Sequence, residues 1–197
     1  MKKDLKSIAD FLFEIGILSK TPRSGFHFLG SGEQSVAEHV HRTLYAAFVL
    51  SSMEKDVDTE KVLKMALFHD LAEARTSDLN YVHQKYAETN EQKAIEDLAG
   101  TVDFGEDILE ILEEYRERKS KESLLAKDAD QLEWILSLKE QVDIGNSRAD
   151  SWIPSAVKRL KTKVAKDLAN KIVKTNSDDW WFSDKKSSWW INRDKKA

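Results

Sequence analysis

Two histidines and two aspartates have the side-chain types and the setting expected of metal ligands. His69 and Asp70 are adjacent within residues 61–78, a segment whose apolar spacing predicts one helix, and both lie beside its apolar stripe. His39 and Asp130 lie beside the apolar stripes of two further predicted helices. Ionisable groups against a core destabilise the fold unless something satisfies them, and two imidazoles with two carboxylates suit Mn, Fe, Co, Ni or Zn. The residues alone also allow a simpler reading, in which His69 is hydrogen-bonded to a neighbour on the polar flank of an ordinary helix.

Helical periodicity dominates the chain, and alternating strand patterns are not evident, so the predicted fold class is all-α. Residues 35–38, Ser-Val-Ala-Glu, predict a capping box at the start of the helix that carries His39. Glu73 follows Asp70 by three positions and His69 by four, so on one helix it would share a face with both. The predicted helices cover residues 5–18, 35–52, 61–78, 91–99, 106–119, 121–142 and 154–174, the last with Pro154 in its first turn.

Composition limits the function classes. The chain has 197 residues, enough for one domain, and a net charge of −4, which argues against a general nucleic-acid binder. Without cysteine there is no disulfide, thiolate metal site or cysteine nucleophile, which fits a reducing compartment such as the cytoplasm. The N-terminal segment is too interrupted by charge for a signal peptide, and no apolar run approaches the roughly 20 residues of a membrane span. We therefore expect a cytoplasmic protein that binds neither nucleic acid nor membrane.

The chain changes character after residue 175. Four of its six tryptophans lie in the last stretch, at positions 180, 181, 189 and 190. Residues 1–175 are predicted to form one domain, and residues 176–197 a Trp-rich C-terminal tail that packs on the helical body or across a dimer interface. Trp favours both places because it fills large apolar areas and is enriched at interfaces. An interfacial membrane belt, base stacking and disorder of the last residues stay open.

Three segments together resemble the HD-domain phosphohydrolase superfamily. They are SVAEH at 35–39, ALFHDLAEA at 66–74 and KDADQLE at 127–133, which follow the superfamily's order of a lone His, a His-Asp pair and a distant Asp. The likeness runs from residue 5 to residue 174 and is greatest to the small 5′-deoxynucleotidase group, which converts deoxynucleoside monophosphates to nucleosides and phosphate. It implies a compact bundle of about six to seven helices, one bound divalent metal ion and a homodimer.

The resemblance implies a role for each matching residue. His39, His69, Asp70 and Asp130 would be the metal ligands, Glu73 and Asp78 the catalytic carboxylates, and Arg23, Phe26 and Asp78 the substrate-binding residues. Phe26 stands where the family usually has Trp, Ser77 replaces the Gly of its Gly-Asp pair, and residues 79–86 also differ from the better-known members. These departures bear on the sugar and base preference more than on hydrolysis.

The chemistry expected of these residues is hydrolysis of a 5′-phosphate. A divalent ion polarises a phosphoryl oxygen and lowers the pKa of a bound water. Glu73 can donate a proton to the leaving alkoxide or position the water, Asp78 can orient the water or bind a sugar hydroxyl, and Arg23 can hold the phosphate by a two-pronged contact. The sequence leaves open which of the two carboxylates is the general acid. It also allows an alternative role for Glu73, an ion pair with Arg75 on the same helix. The alternatives to a nucleoside monophosphate are another nucleotide, a small phosphoester, or a metal- or nucleotide-binding module without turnover.

Overall fold

The computed structural model describes residues 4–184 and 186–192, leaving aside the side chains of Ser188 and Trp189. Within these ranges the only β pairing is an isolated bridge between Pro22 and Ser35, so the predicted all-α class is confirmed. In the same ranges, no helix combines the length and the hydropathy needed to cross a bilayer. The helices are α1 (Leu5–Ile15), α2 (Phe26–Leu29), α3 (Val36–Ser52), α4 (Thr59–Phe68), α5 (Glu73–Thr76), α6 (Glu91–Ala99), α7 (Gly105–Glu117), α8 (Lys121–Asp143), α9 (Ser147–Arg159), α10 (Lys163–Ile172), α11 (Asp179–Phe182) and α12 (Ser188–Asn192), with 3₁₀ turns at Gly16–Ser19 and His83–Lys85.

Helix α8 is the central element of the bundle. It packs against α3, α4, α7, α9 and α10. Its buried side chains include the apolar Leu125, Leu132 and Ile135 and the polar Asp130 and Glu133. They point to several sides of the helix rather than along one stripe, as expected of a helix that is covered by many neighbours. The candidate ligand Asp130 therefore projects from a helix that is covered on several sides.

The predicted capping box at the start of α3 is confirmed. Ser35 Oγ accepts the Glu38 N–H at 3.2 Å, and Glu38 Oε2 accepts the Ser35 N–H at 2.6 Å. These bonds satisfy backbone donors that a helix start leaves without intrahelical partners. His39 follows the box directly and is fully buried. The local sequence thus specifies the helix start that positions the first candidate ligand.

The prediction of one continuous helix over residues 61–78 is wrong, and the difference matters for the site. Helix α4 ends at Phe68, the chain turns, and α5 follows. In the turn the Leu71 N–H donates to the Phe68 carbonyl at 2.9 Å, a tighter closure than the α-helical one. Neighbouring side chains on a regular helix point about 100° apart. The turn instead brings His69 Nε2 to 3.2 Å from Asp70 Oδ2.

The prediction of one helix over residues 154–174 is also wrong. Two helices occupy this part of the chain, and α9 begins at Ser147, where the Asn146 side chain accepts backbone N–H groups of the first turn. Pro154 lies inside α9, at the cost of one helical hydrogen bond. The break between α9 and α10 is held by the buried Asp128, whose carboxylate accepts two backbone N–H groups at 2.9 and 2.7 Å. A side chain distant in sequence therefore decides where these helices separate.

The C-terminal tail contains the short helices α11 and α12. Three of its aromatic rings contact one another: Trp181 stacks on Phe182 with ring centroids 5.1 Å apart, and Trp190 meets both rings edge-on. Trp189, which was also predicted to pack, lies outside the described side chains. The division of the chain at residue 175 stays a prediction.

Candidate metal centre and front cavity

The four predicted metal ligands come together from three parts of the fold. His39 projects from α3, His69 and Asp70 from the turn after α4, and Asp130 from α8. His39 Nε2 lies 3.2 Å from His69 Nε2, 3.2 Å from Asp130 Oδ1 and 3.5 Å from Asp70 Oδ2. His69 Nε2 lies 3.9 Å from Asp130 Oδ1. We refer to these four residues as the ligand cluster, and three of them, His39, His69 and Asp70, offer ligand atoms that all lie within 4.8 Å of one another.

His69 makes a hydrogen bond through the ring nitrogen that faces away from the ligand cluster, and this bond makes the cluster suitable for binding a cation. His69 Nδ1 lies 2.9 Å from the Ala66 carbonyl oxygen, which can only accept, so this nitrogen carries the proton. In the neutral ring Nε2 is then a lone-pair acceptor, and it faces the carboxylate oxygens of Asp70 and Asp130, which are acceptors too. Acceptors that converge on one point repel one another unless a positive charge lies between them. An outer hydrogen bond that orients the ring in this way is typical of metal-binding histidines.

His39 shows the same preference for positive charge. Its Nδ1 lies 2.6 Å from Glu133 Oε2 in the core. Burial lowers the pKa of His39, but hydrogen bonds to Asp130 and Glu133 outweigh it and raise the pKa to about 9. The carboxylates that attract a proton to this ring also attract a metal ion, which has to displace that proton when it binds.

Glu133 holds His39 in place and is a residue that the sequence pattern did not single out. It is fully buried, and its Oε1 accepts hydrogen bonds from Gln34 at 2.7 Å and from two Arg42 nitrogens at 2.8 and 3.0 Å. Burial raises the pKa of this carboxyl, but the bond from His39 and the Arg42 charge lower it to about 2, so the group is ionised. One signal was available: Glu133 follows Asp130 by three positions, and residues three apart share a helix face.

The two aspartates in residues 127–133 have separate roles. Asp130 faces the ligand cluster, and Lys127 Nζ donates to its Oδ2 at 2.6 Å. Asp128 instead binds backbone N–H groups between α9 and α10 and accepts the Thr162 hydroxyl at 2.6 Å. The structure therefore puts at the cluster the aspartate that the resemblance implies, while the other one joins helices.

Arg23 and Asp78 adjoin the ligand cluster. Arg23 Nη1 lies 3.3 Å from Asp70 Oδ2 and 3.6 Å from Asp78 Oδ2. Asp78 Oδ2 also accepts the Ser24 N–H at 3.0 Å, which ties the loop that carries Arg23 to the segment after α5. The two carboxylates hold the Arg23 guanidinium in position beside the cluster, so little rotational freedom remains to be lost on binding an anion.

Glu73 is placed differently from Asp78. Its Oε2 is buried and has no hydrogen-bond partner among the described residues. Burial, together with the carboxylates of Asp70 and Asp78, raises the pKa of Glu73 to about 9, so the group carries a proton at neutral pH. The alternative ion pair between Glu73 and Arg75 is wrong, because Arg75 donates to the two carboxylate oxygens of Glu14 instead.

A cavity of about 570 Å³, referred to as the front cavity, adjoins the ligand cluster. Its lining combines charged and aromatic groups. The charged ones near the cluster are Arg23, Asp78 and Asp130. The aromatic ones are Phe28, Tyr81, Trp134 and Trp152. A ligand with an anionic end and a flat, apolar body fits a cavity that has charged groups near the ligand cluster and aromatic groups elsewhere on its wall.

Phe26, predicted to contact the substrate, lies behind the front cavity rather than on its wall. It is buried in the core and meets Trp134 edge-on, with ring centroids 5.5 Å apart. Gly25 passes close to the same indole, and a Cβ atom there would lie 3.3 Å from it. In this arrangement Phe26 supports Trp134, and Phe28 lines the cavity. Direct contact between Phe26 and a substrate stays a prediction.

Comparisons with known proteins identify the family of the fold. The relative 5′-deoxynucleotidase HDDC2 from Bos taurus is 27% identical over 147 residues, which cover 72% of this chain and 71% of the relative. A conserved hypothetical protein from Pyrococcus furiosus has a solved structure that aligns with a TM-score of 0.72 and 28% identity, covering 85% of this chain and 99% of that one. A solved protein from Pyrococcus horikoshii aligns with a TM-score of 0.69 and 31% identity, covering 84% and 98%. Residues 15–172 match the HD domain family, and the chain belongs to that family.

Proposed function

We propose that this protein is a metal-dependent phosphohydrolase that removes the 5′-phosphate of deoxynucleoside monophosphates. The observation that carries the proposal is the front cavity, with its charged groups at the ligand cluster and its aromatic walls. The volume of about 570 Å³ falls in the range of small-molecule sites, about 300–1,000 Å³. A nucleoside monophosphate matches this lining at both ends: its charged phosphate suits the charged groups, and its base is a flat ring that stacks on aromatic side chains.

Arg23 is the residue proposed to hold the phosphate. Its guanidinium lines the front cavity and is already oriented by Asp70 and Asp78. The planar fork of Arg has five N–H donors, so contacts to two carboxylates leave donors for two phosphate oxygens. The position beside the ligand cluster puts those oxygens next to the candidate metal ligands.

The ligand cluster fits one divalent transition ion, Mn, Co, Zn, Fe or Ni, held by Nε2 of His39 and His69 and by the carboxylates of Asp70 and Asp130. When bound, such an ion polarises the phosphoryl group and lowers the pKa of a coordinated water. Glu133 and the Ala66 carbonyl keep the two imidazoles turned toward the cluster.

Glu73 is proposed as the general acid. The leaving 5′-oxygen of a nucleoside is a poor leaving group and needs a proton. Glu73 holds one at neutral pH because burial and two neighbouring carboxylates disfavour its ionised form. Asp78 accepts a backbone N–H and lines the front cavity, so it suits the other role, that of accepting a hydrogen bond from a sugar hydroxyl.

The similar proteins support a nucleotide substrate. The relatives from Bos taurus and Schizosaccharomyces pombe are both named 5′-deoxynucleotidases, and the second, 24% identical, spans 88% of this chain. The experiment that tests the proposal measures phosphate release from 5′-deoxynucleoside, 5′-ribonucleoside and 3′-deoxynucleoside monophosphates and from p-nitrophenyl phosphate. We expect release from the 5′-deoxy compounds above the ribo compounds, and none from the 3′ isomers. Release from no 5′ nucleotide by the metal-loaded protein would reject the proposal in favour of another phosphoester or a binding module.

We further propose that the chain forms a homodimer and acts in the cytoplasm. Tyr45, Phe48 and Val49 are exposed apolar residues on α3, followed by the exposed Met53 just after its end, and Leu12 and Phe13 are exposed on α1. Exposed apolar surface of this kind is typical of protein interfaces. Sedimentation velocity should give a single species of twice the chain mass, and a monomer at micromolar concentration would contradict the dimer. The absence of cysteine supports a reducing compartment.

A further inference from the structure

A second cavity, referred to as the rear cavity, is also lined by members of the ligand cluster. Its volume is about 230 Å³, and it shares no lining residue with the front cavity. The cluster member Asp130 lines the front cavity, whereas His69 and Asp70 line the rear one. The ligand cluster is therefore accessible to small molecules from two separate spaces. The groups of the rear cavity that carry the following inference are Glu91, Tyr115, Arg118 and Lys127.

Arg118 is a cation of the rear cavity without a carboxylate partner among the described residues. It ends α7 in the left-handed conformation, with φ of 55°. Its guanidinium lies over the Tyr115 ring, 3.5 Å from the centroid, and its Nη1 donates to the Ser123 carbonyl at 3.3 Å. These contacts orient the guanidinium but leave its charge uncompensated and several of its five N–H donors unused. By contrast, Arg116 on the same wall is paired with Glu113 at 2.6 Å.

Two further donors line the rear cavity. Tyr115 Oη is buried and has no hydrogen-bond partner among the described residues. A buried hydroxyl without a hydrogen-bond partner is uncommon in a native fold and indicates that a ligand or a water molecule supplies the missing hydrogen bond. Lys127 Nζ donates to Asp130 Oδ2 at 2.6 Å, which uses one of its three N–H groups. The cavity thus combines a guanidinium, an ammonium and a hydroxyl, each with donors left over.

We infer that the rear cavity is a binding site for inorganic phosphate. A tetrahedral oxyanion offers several acceptor oxygens, which the fork of Arg118, the ammonium of Lys127 and the hydroxyl of Tyr115 can share. The volume of about 230 Å³ holds a phosphate with a few waters, each of about 30 Å³, but less than half of what the front cavity holds. Glu91 also lines the cavity, so the site favours a phosphate that still carries a proton and can donate it to this carboxylate.

The proposed function supplies a source for this phosphate, and on that point the inference rests on the proposed function. Phosphate freed at the ligand cluster lies beside both cavities, because Asp130 lines the front one and His69 and Asp70 line the rear one, so it can move to the rear cavity while the nucleoside still occupies the front cavity. Phosphate from solution has the same chemistry and would use the same donors. Binding and kinetic measurements separate these two sources.

Calorimetric titration of the metal-stripped chain of residues 1–197 with inorganic phosphate tests the site without turnover. Arg118→Glu should weaken binding by about tenfold or more, because it replaces two-pronged donors with a repelling charge. Lys119→Glu is the matched control: it makes the same change of charge next in sequence, on a residue that pairs with Glu117 at 3.0 Å and is absent from the cavity wall. The control should change affinity by less than about twofold. Tyr115→Phe, which removes only the unpartnered hydroxyl, should weaken binding by about fivefold.

The inference is overturned if folded Arg118→Glu binds phosphate as wild type does, or if wild type binds none. It is also overturned if Arg23→Gln loses phosphate binding while Arg118→Glu keeps it, because the phosphate would then occupy the front cavity. Should Arg118→Glu not fold, Arg118→Gln and Tyr115→Phe provide the same comparison.

A kinetic experiment on wild type and Arg118→Gln identifies the source of the phosphate. If the product leaves through the rear cavity, Arg118→Gln slows the release of phosphate into solution after a single turnover, because the guanidinium no longer attracts the freed anion away from the ligand cluster. An unchanged release rate together with lost phosphate binding would reject the product route and assign the site to phosphate from solution. If no nucleotide is hydrolysed at all, the proposed function fails, while calorimetry still decides whether the phosphate site exists.

Discussion

His39 Nε2 and His69 Nε2 lie 3.2 Å apart, although the two residues come from different parts of the fold and are 30 positions apart in the chain. Each ring is held from behind, His39 by Glu133 and His69 by the Ala66 carbonyl. Neither ring can turn its Nε2 away without losing a buried hydrogen bond. The geometry of the ligand cluster therefore depends on groups that would not touch the metal.

Replacing Asp130 by Asn should remove metal from the folded protein, because it deletes the ligand charge contributed by α8. Asp128→Asn is the matched control on the same helix. It should leave the metal content of folded protein unchanged but lower the free energy of unfolding by about 1–3 kcal/mol, since Asp128 holds the break between α9 and α10. Metal analysis and thermal unfolding measure the two effects. A normal metal content in Asp130→Asn would refute its place among the ligands.

Glu133→Gln should weaken metal affinity by about 10–100-fold, although Glu133 is not itself a ligand. The amide cannot match the charge that holds His39 and compensates Arg42. Glu140→Gln alters another partner of Arg42, at a more exposed position, and should leave the affinity nearly unchanged. Competition with a chelator gives the affinities. Equal affinities of the two variants would mean that the buried carboxylate does not position His39.

Glu73→Gln should lower turnover by about 10²–10⁴-fold while metal stays bound, because the amide cannot transfer a proton. The pKa of Glu73 is raised to about 9, so the active, protonated form persists through neutral pH. Wild-type activity should fall as pH rises past that value, and Glu73→Gln should lack this alkaline decline. Glu14→Gln, which changes only the partner of Arg75, should keep the wild-type profile. An identical decline in wild type and Glu73→Gln would exclude Glu73 as the acid.

Arg23→Lys should raise KM for the nucleotide by about tenfold, because the charge is kept and the two-pronged contact is lost. Arg75→Lys makes the same substitution at a position whose partner is Glu14, away from the front cavity, and should leave KM unchanged. Steady-state kinetics on both variants measures the difference. If both variants keep the wild-type KM, Arg23 does not bind the phosphate.

Periodicity and local capping predicted the helical class and the start of α3, because both depend on neighbours in sequence. The break after Phe68 was missed because the apolar spacing continues through Leu71, and only the turn's hydrogen bonds separate α4 from α5. The start of α9 was missed because Pro154 favours a first turn in general but here lies inside the helix. In both places short-range hydrogen bonds set the boundary: the Leu71 N–H closes the turn onto Phe68 after α4, and the Asn146 side chain caps the start of α9.

The candidate ligands could be named from the resemblance of their sequence segments, but the groups that hold them could not. Glu133 reaches His39 across 94 positions, and Arg23 reaches Asp70 across 47. Spacing along the chain carries no information about such contacts, since they depend on how α3, α8 and the loop before α3 pack together. The burial that raises the pKa of Glu73 arises only in the folded chain for the same reason.

The most direct test of the account is metal reconstitution. The protein is stripped with a chelator, Mn, Co, Zn, Fe or Ni is added back singly, and phosphate release from a 5′-deoxynucleoside monophosphate is followed in wild type and Asp130→Asn. The account predicts no release without metal, restored release with at least one ion in wild type, and none in the variant. Full release by the metal-free protein, or equal restoration in Asp130→Asn, would contradict the central claim.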